Sequence, residues 1–208
     1  MITSQAQLRT LYPEPAERAR RKQLSALDGY CRQFIALSPL CVLATGGAED
    51  CLMDASPRGG VPGFVHVHDA HTLWIPDAGG NNRLDSLSNL LSDPRIGLLF
   101  LIPGVNETLR INGRAQLRDE QPFTQKFASD HFVPKLVIEV HVQEAYLHCA
   151  KALMRSRLWQ ADAQCERLVL PSMNQMIHAQ LGLDAMPEPQ SAMEQRYQQQ
   201  IALEVGKA

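Results

Sequence analysis

The chain has 208 residues, 45% of them hydrophobic and 20% charged, with a formal net charge of −2, the balance of an ordinary globular domain with one substantial core. That charge gives no ground for a nucleic-acid partner, because the basic run Arg18, Arg20, Arg21 and Lys22 has no interleaved aromatic residues. Five widely spaced cysteines without a C-x-x-C pair point to a reducing cytoplasm rather than a disulfide framework or structural zinc, and neither a signal peptide nor an apolar run of bilayer length is expected.

Residues 14–37 read as one helix: Leu24, Leu27, Cys31, Phe34 and Leu37 recur at three- and four-residue steps, and Pro39 marks the stop. The period then changes. Residues 40–47, 49–56, 64–69 and 71–77 are short β-like runs parted by Gly, Pro and Asp turns. Residues 81–93 read as a helix with Asn82 at its N-cap, Leu84, Leu87 and Leu91 as its buried stripe, and Pro94 at its end. Strands follow at 95–103 and 107–118; in the second, Leu109, Ile111 and Gly113 alternate with the polar Thr108, Arg110 and Asn112. A short helix is expected within 119–134, a long strand at 135–149, a helical segment from 150 and a loosely packed helix beyond Pro187. No repeat or domain boundary divides the chain. One domain is expected over 1–208, with a helical segment at 1–37, a barrel at 38–149 and a second helical segment at 150–208. Mainly β structure with about six antiparallel strands and flanking helices predicts a small barrel.

Four stretches carry chemistry. In "SPRGG" (56–60) the glycines permit backbone N–H groups to turn inward, and Ser56 and Arg58 add a hydroxyl and a forked cation suited to phosphate; a turn with an incidental arginine is the other reading. "IPDAGGNNR" (75–83) leaves a strand through two glycines and enters a helix with Arg83 in its first turn, either an anion site or an ordinary strand–helix junction. The face of Thr108, Arg110 and Asn112 offers hydrogen bonds to a heterocycle or simply faces water. On a helix from about Ala150, Lys151 and Arg155 share a stripe with Trp159, either a cover for a planar anionic ligand or a basic solvent face. Two other arrangements are weaker. His66, His68 and His71 lack a Cys, Asp or Glu at firm metal-ligand spacing, and His148 and Cys149, adjacent on a strand, point to opposite faces and make a poor hydrolytic dyad.

Taken in this order, "SPRG", "GNNR", "FLIPG…ETLR-NGRA" and "HC-KAL-RS-LW" resemble the pyridoxamine 5′-phosphate oxidase-like family of FMN-binding split β-barrels, over roughly residues 25–185. The resemblance implies a six-stranded antiparallel split barrel that forms a homodimer with FMN at the subunit interface. It implies phosphate or ribityl contacts from Ser56 and Arg58, Asp77 beside the flavin, and a phosphate loop of Asn81, Asn82 and Arg83. Thr108, with Arg110 on the same strand face, would reach the ring. Lys151, Arg155, Ser156 and Trp159 would approach the flavin of the other subunit. The implied protein is a cytoplasmic oxidoreductase acting on a small-molecule substrate or electron donor, with no nucleic-acid or membrane partner. Relatives also use deazaflavin or haem, so a non-catalytic flavin- or haem-binding sensor is the alternative. The C-terminal arginine–histidine signature and the "R-x-V-L-L-K"-like strand of the true oxidases have no counterpart, so oxidation of pyridoxamine phosphate is not implied.

Overall fold

The structure, a computed structural model, describes residues 1–47 and 52–205. Its strands are β1 (Leu40–Thr45), β2 (Asp54–Gly59), β3 (His66–Val67), β4 (Thr72–Pro76), β5 (Arg95–Leu101), β6 (Thr108–Arg118) and β7 (Val137–His148). They pair antiparallel in one sheet of order β2-β1-β5-β6-β7-β4-β3. Seven strands thus stand where six were expected. The seventh is the two-residue β3, held to β4 through His66 opposite Trp74 and Val67 opposite Leu73.

Alternation explains which face is covered. Along β1 and β5, Cys41, Leu43, Ile96, Leu98 and Phe100 are buried while their neighbours are not, and Leu109 and Ile111 continue that face on β6. Along β7, Val137, Ile138, Glu139 and Val140 are all buried, so both faces are covered there. The helices α1 (Gln5–Leu11), α2 (Glu17–Arg21), α3 (Gly29–Leu37), α4 (Asp85–Ser92), α5 (Gln121–Thr124), α6 (Lys151–Ser156), α7 (Met173–Leu181) and α8 (Gln190–Val205) flank the sheet. Leu27, Cys31 and Ile35 and, from α4, Leu87 and Leu90 complete the core. No helix among the described residues is long and apolar enough to cross a membrane.

Three expectations are corrected. The single helix at 14–37 is broken, because Leu24 exchanges backbone hydrogen bonds with Ala145, 2.9 Å each way, and so runs extended. Its second half restarts at Gly29 under a cap from Asp28, whose carboxylate accepts from the Cys31 N–H at 2.8 Å. The helix expected at 81–93 begins only at Asp85, since Asn82 and Leu84 take left-handed backbone angles, φ 58° and 60°. That shift rotates the buried stripe onto Ser86, Leu87 and Leu90 and leaves Leu84 and Leu91 exposed. Finally, most of "SPRGG" is neither a loop nor a turn. Asp54–Gly59 is β2, an edge strand paired with β1, where Pro57 is tolerated. The strand expected at 49–56 lies partly outside the described residues.

Gly113 shows why β6 needs a glycine. The register between β6 and β7 shifts at Asn112/Gly113, and a Cβ on Gly113 would stand 2.2 Å from the His141 carbonyl oxygen.

Candidate functional site

One face of β2 carries Asp54, Ser56 and Arg58, as the two-residue period of a strand requires. These side chains meet the start of α4. Ser56 Oγ donates to Asp54 Oδ1 at 2.9 Å, and Ser86 Oγ, buried at the beginning of α4, donates to Asp54 Oδ2 at 2.5 Å. Arg58 Nη2 donates to Ser86 Oγ at 3.4 Å, and Nη1 donates to the Pro57 carbonyl at 2.9 Å. The carboxylate of Asp54 therefore holds both serines, and Ser86 in turn steadies the guanidinium of Arg58.

Beyond β4 the chain turns into α4 through residues 77–84. The Asp77 N–H donates to Leu136 O at 3.0 Å, which ties this loop to the start of β7. Burial raises the Asp77 carboxyl above its ordinary pKa, and the cations of Arg58 and Lys135 partly offset that. Asn81 Oδ1 accepts from the Arg83 N–H at 3.0 Å, an Asx turn that shapes the loop. Arg83 is largely exposed, and its Nε lies 2.8 Å from Asp85 Oδ2; that carboxylate is committed to its neighbour.

These elements enclose a cleft of about 740 Å³. Six residues singled out in the sequence line it together: Ser56, Arg58, Asp77, Asn81, Asn82 and Arg83. Lys135, Phe132, Ser86 and Glu204 also line it, and none was anticipated. Lys135 at the threshold of β7 and Glu204 near the end of α8 leave no local sequence pattern. Asp54 and Ser86 are different: Asp54 shares a strand face with Ser56 and Arg58, a legible signal. The cations, hydroxyls and loop N–H groups suit a phosphate monoester, the acids Asp77 and Asp85 notwithstanding.

The other six candidates lie elsewhere. Thr108 is buried on β6 opposite His148, and Arg110 stacks its guanidinium 4.3 Å from the centre of the Tyr146 ring. Lys22 lies over the same ring at 5.2 Å and donates from Nζ to Leu147 O at 2.9 Å. Burial, then the charges of Arg110 and Lys22, lower the His148 pKa. Lys151, Arg155 and Ser156 are exposed on α6, where Ser156 Oγ donates to Leu153 O at 3.1 Å. The expected stripe through Trp159 is broken, because Arg157 caps α6 in a left-handed conformation, φ 55°. Trp159 instead donates from Nε1 to Val105 O at 2.9 Å. Near it a second cavity of about 330 Å³ is lined chiefly by Tyr30, Phe34, Leu37, Ile102, Val105 and Leu147. Within one chain, then, six of the twelve candidates share the cleft and the other six are spread over β6, α6 and the turn at Trp159.

The histidines take up aromatic packing. His68 stacks on Trp74 at 4.3 Å between ring centres, with His66 5.5 Å from that indole. Among the described residues no three His, Cys, Asp or Glu side chains gather as metal ligands.

Residues 27–149 match the family model described as pyridoxamine 5′-phosphate oxidase. No curated protein matches the chain. Among solved structures it is similar to HupZ of Group A Streptococcus, at 17% identity over 57% of this chain and 91% of that one, with a TM-score of 0.47. It is also similar to an FMN-binding protein from Syntrophomonas wolfei subsp. wolfei, at 12% identity over 57% and 83% of the two chains, TM-score 0.43. General Stress Protein 26 from Bacillus anthracis is similar at 13% identity over 57% and 93%, TM-score 0.41. With more than half of its length inside the family match, the chain belongs to the pyridoxamine 5′-phosphate oxidase family.

Proposed function

We propose that the protein binds FMN as a cytoplasmic homodimeric flavoprotein and acts as an oxidoreductase on a small-molecule substrate or electron donor. The observation that carries this reading is the 740 Å³ cleft, where Arg58, Lys135, the Asn81 amide and the loop amides converge. In this reading the phosphate sits there, with Arg58 as its main cationic partner because Arg83 is already paired to Asp85. The phosphate group fits the donors present. Bound FMN would supply a ring that accepts and returns electrons.

The ring would be held between two copies in a closed split barrel. Thr108 and Arg110 offer hydrogen bonds and positive charge on β6, and Lys151, Arg155, Ser156 and Trp159 come from the second copy. Exposed apolar side chains support a second copy: Tyr30 is 75% and Leu37 53% exposed beside the smaller cavity. Lys151 and Arg155 would then place positive charge beside the ring and favour its reduced, anionic form.

The test is the visible spectrum of the purified protein, with the mass of any cofactor released on heating. A flavin spectrum with the mass of FMN supports the reading. The mass of a deazaflavin, or a Soret-type band, would move the assignment to another cofactor. A colourless protein that cannot be reconstituted with FMN would overturn it.

A further inference from the structure

The C-terminal helix reaches into the same cleft. α8 is anchored at its beginning, where Met193 is only 6% exposed, Gln190 Oε1 accepts from Arg167 Nη2 at 3.3 Å, and Glu188, which pairs with Arg196 at 2.9 Å, accepts from Asn174 Nδ2 at 3.2 Å. Its far half is different. Tyr197, Ile201 and Leu203 are exposed, and among the described residues two hydrogen bonds tie this end to the body of the protein. Ser129 Oγ donates to Leu203 O at 3.5 Å, and the Gly79 N–H donates to Glu204 Oε1 at 3.1 Å. Glu204 thus brings a carboxylate into the lining of a cleft whose other groups include Arg58, Arg83 and Lys135. The contact is close: a Cβ on Gly79 would stand 2.9 Å from that carboxylate oxygen.

We infer that the far half of α8 is a strap across the cleft, and that the Glu204 carboxylate occupies a backbone amide that a phosphate group must take to bind. The inference rests on the phosphate-binding reading of the cleft. Glu204 is an internal stand-in: an acceptor of the right charge on an amide suited to anions. A phosphate and this carboxylate cannot share the amide, and like charges so close repel. Ligand entry therefore swings the weakly held end of α8 outward, while the anchor at Met193 stays in place. Binding and strap opening are coupled, and the coupling is reciprocal.

The test uses the full chain and two probes, inorganic phosphate and FMN, with Glu204→Ala and Glu204→Gln. Glu204 is only half-buried and contributes nothing to the core, so neither variant is expected to change the fold. Hydrogen exchange of the Gly79 amide should speed up in E204A without any ligand. Both probes should bind E204A about tenfold more tightly than the natural chain. E204Q, which keeps an acceptor but loses the charge, should fall between the two. If E204A gains affinity for phosphate while neither chain binds FMN, the flavin reading fails and the strap stands. If E204A leaves phosphate affinity unchanged, the strap is overturned, whatever FMN does.

Discussion

The cleft beside β2 and the polar face of β6 carry similar side chains but are assembled differently. In the cleft, a strand face, a loop and the threshold of β7 converge within one chain. There Asp54, Ser56, Ser86 and Arg58 form a continuous hydrogen-bonded chain. Elsewhere, Arg110 of β6 and Lys22 rest on the Tyr146 ring of β7, and α6 holds Lys151 and Arg155 out in solvent. The contrast suggests a division of labour for the proposed function: the groups for an anion come from one chain, whereas those for a flavin ring in the proposed dimer come from two. Inorganic phosphate should then bind with an affinity independent of protein concentration. FMN should bind more weakly below the concentration at which the dimer dissociates.

The largest effect should come where both halves depend on one residue. Gly113 sits at the bulge of β6, and Gly113→Ala would drive a methyl group into the His141 carbonyl. A loss of about 3 kcal/mol is expected, read as a melting temperature lower by about 6–12 °C. Both phosphate and FMN binding should weaken together. A variant of natural stability would show that β6 and β7 can part without harm, and the two halves would not share this frame.

Next come the cations of the cleft. Arg58→Ala should lower affinity for FMN and for phosphate by about a hundredfold, since it removes a charge-assisted donor held in place by Ser86. Arg83→Ala should cost only about threefold, because that side chain is exposed and already engaged by Asp85. Equal losses in an isothermal titration would mean that Arg83 leaves Asp85 when an anion binds. On the other half, Lys151→Ala with Arg155→Ala should weaken FMN about tenfold and leave phosphate unaffected. If phosphate weakened as well, the separation into two halves would be lost.

The cleft was more legible in the sequence than the strand face, and the reason lies in range. Ser56, Arg58, Asp77, Asn81, Asn82 and Arg83 come from two compact stretches whose glycines and polar residues act locally, and both stretches face one space. The backbone there is less legible: the glycines and proline of "SPRGG" read as a loop or turn, yet an edge strand tolerates proline and glycine that a central strand would not. The start of α4 slipped because left-handed angles at Asn82 and Leu84 leave little mark in the residue types, least of all at a leucine. Lys135 and Glu204 were unreadable because they approach the loop from about 55 and 125 residues away, across contacts that no local period encodes. The stripe on α6 failed for another reason: the period was right, but the helix ends after two turns at Arg157.

The smallest effect separates the halves by pH, and the signs are opposite. Asp77 in the cleft has a carboxyl raised by burial, so the folded chain holds that proton more tightly than the unfolded one. Its contribution is fully present at acid pH and is lost as pH rises from about 4 through the raised value. His148 beside Arg110, and His66 beside Trp74, are both lowered by burial and by neighbouring positive charge. Here the unfolded chain takes up the proton first, so their contribution is present above about pH 6.5 and is lost as pH falls below it. Melting curves from pH 4 to 8 should therefore carry both slopes. Asp77→Asn should flatten the acid limb alone, and His148→Gln should reduce the slope near neutrality without touching the other. These groups are only partly buried and solvent still screens them, so each change should amount to a few degrees at most. If His148→Gln altered the acid limb instead, the titrating groups of the two halves would be coupled, and the strand face and the cleft would have to be treated as one electrostatic site.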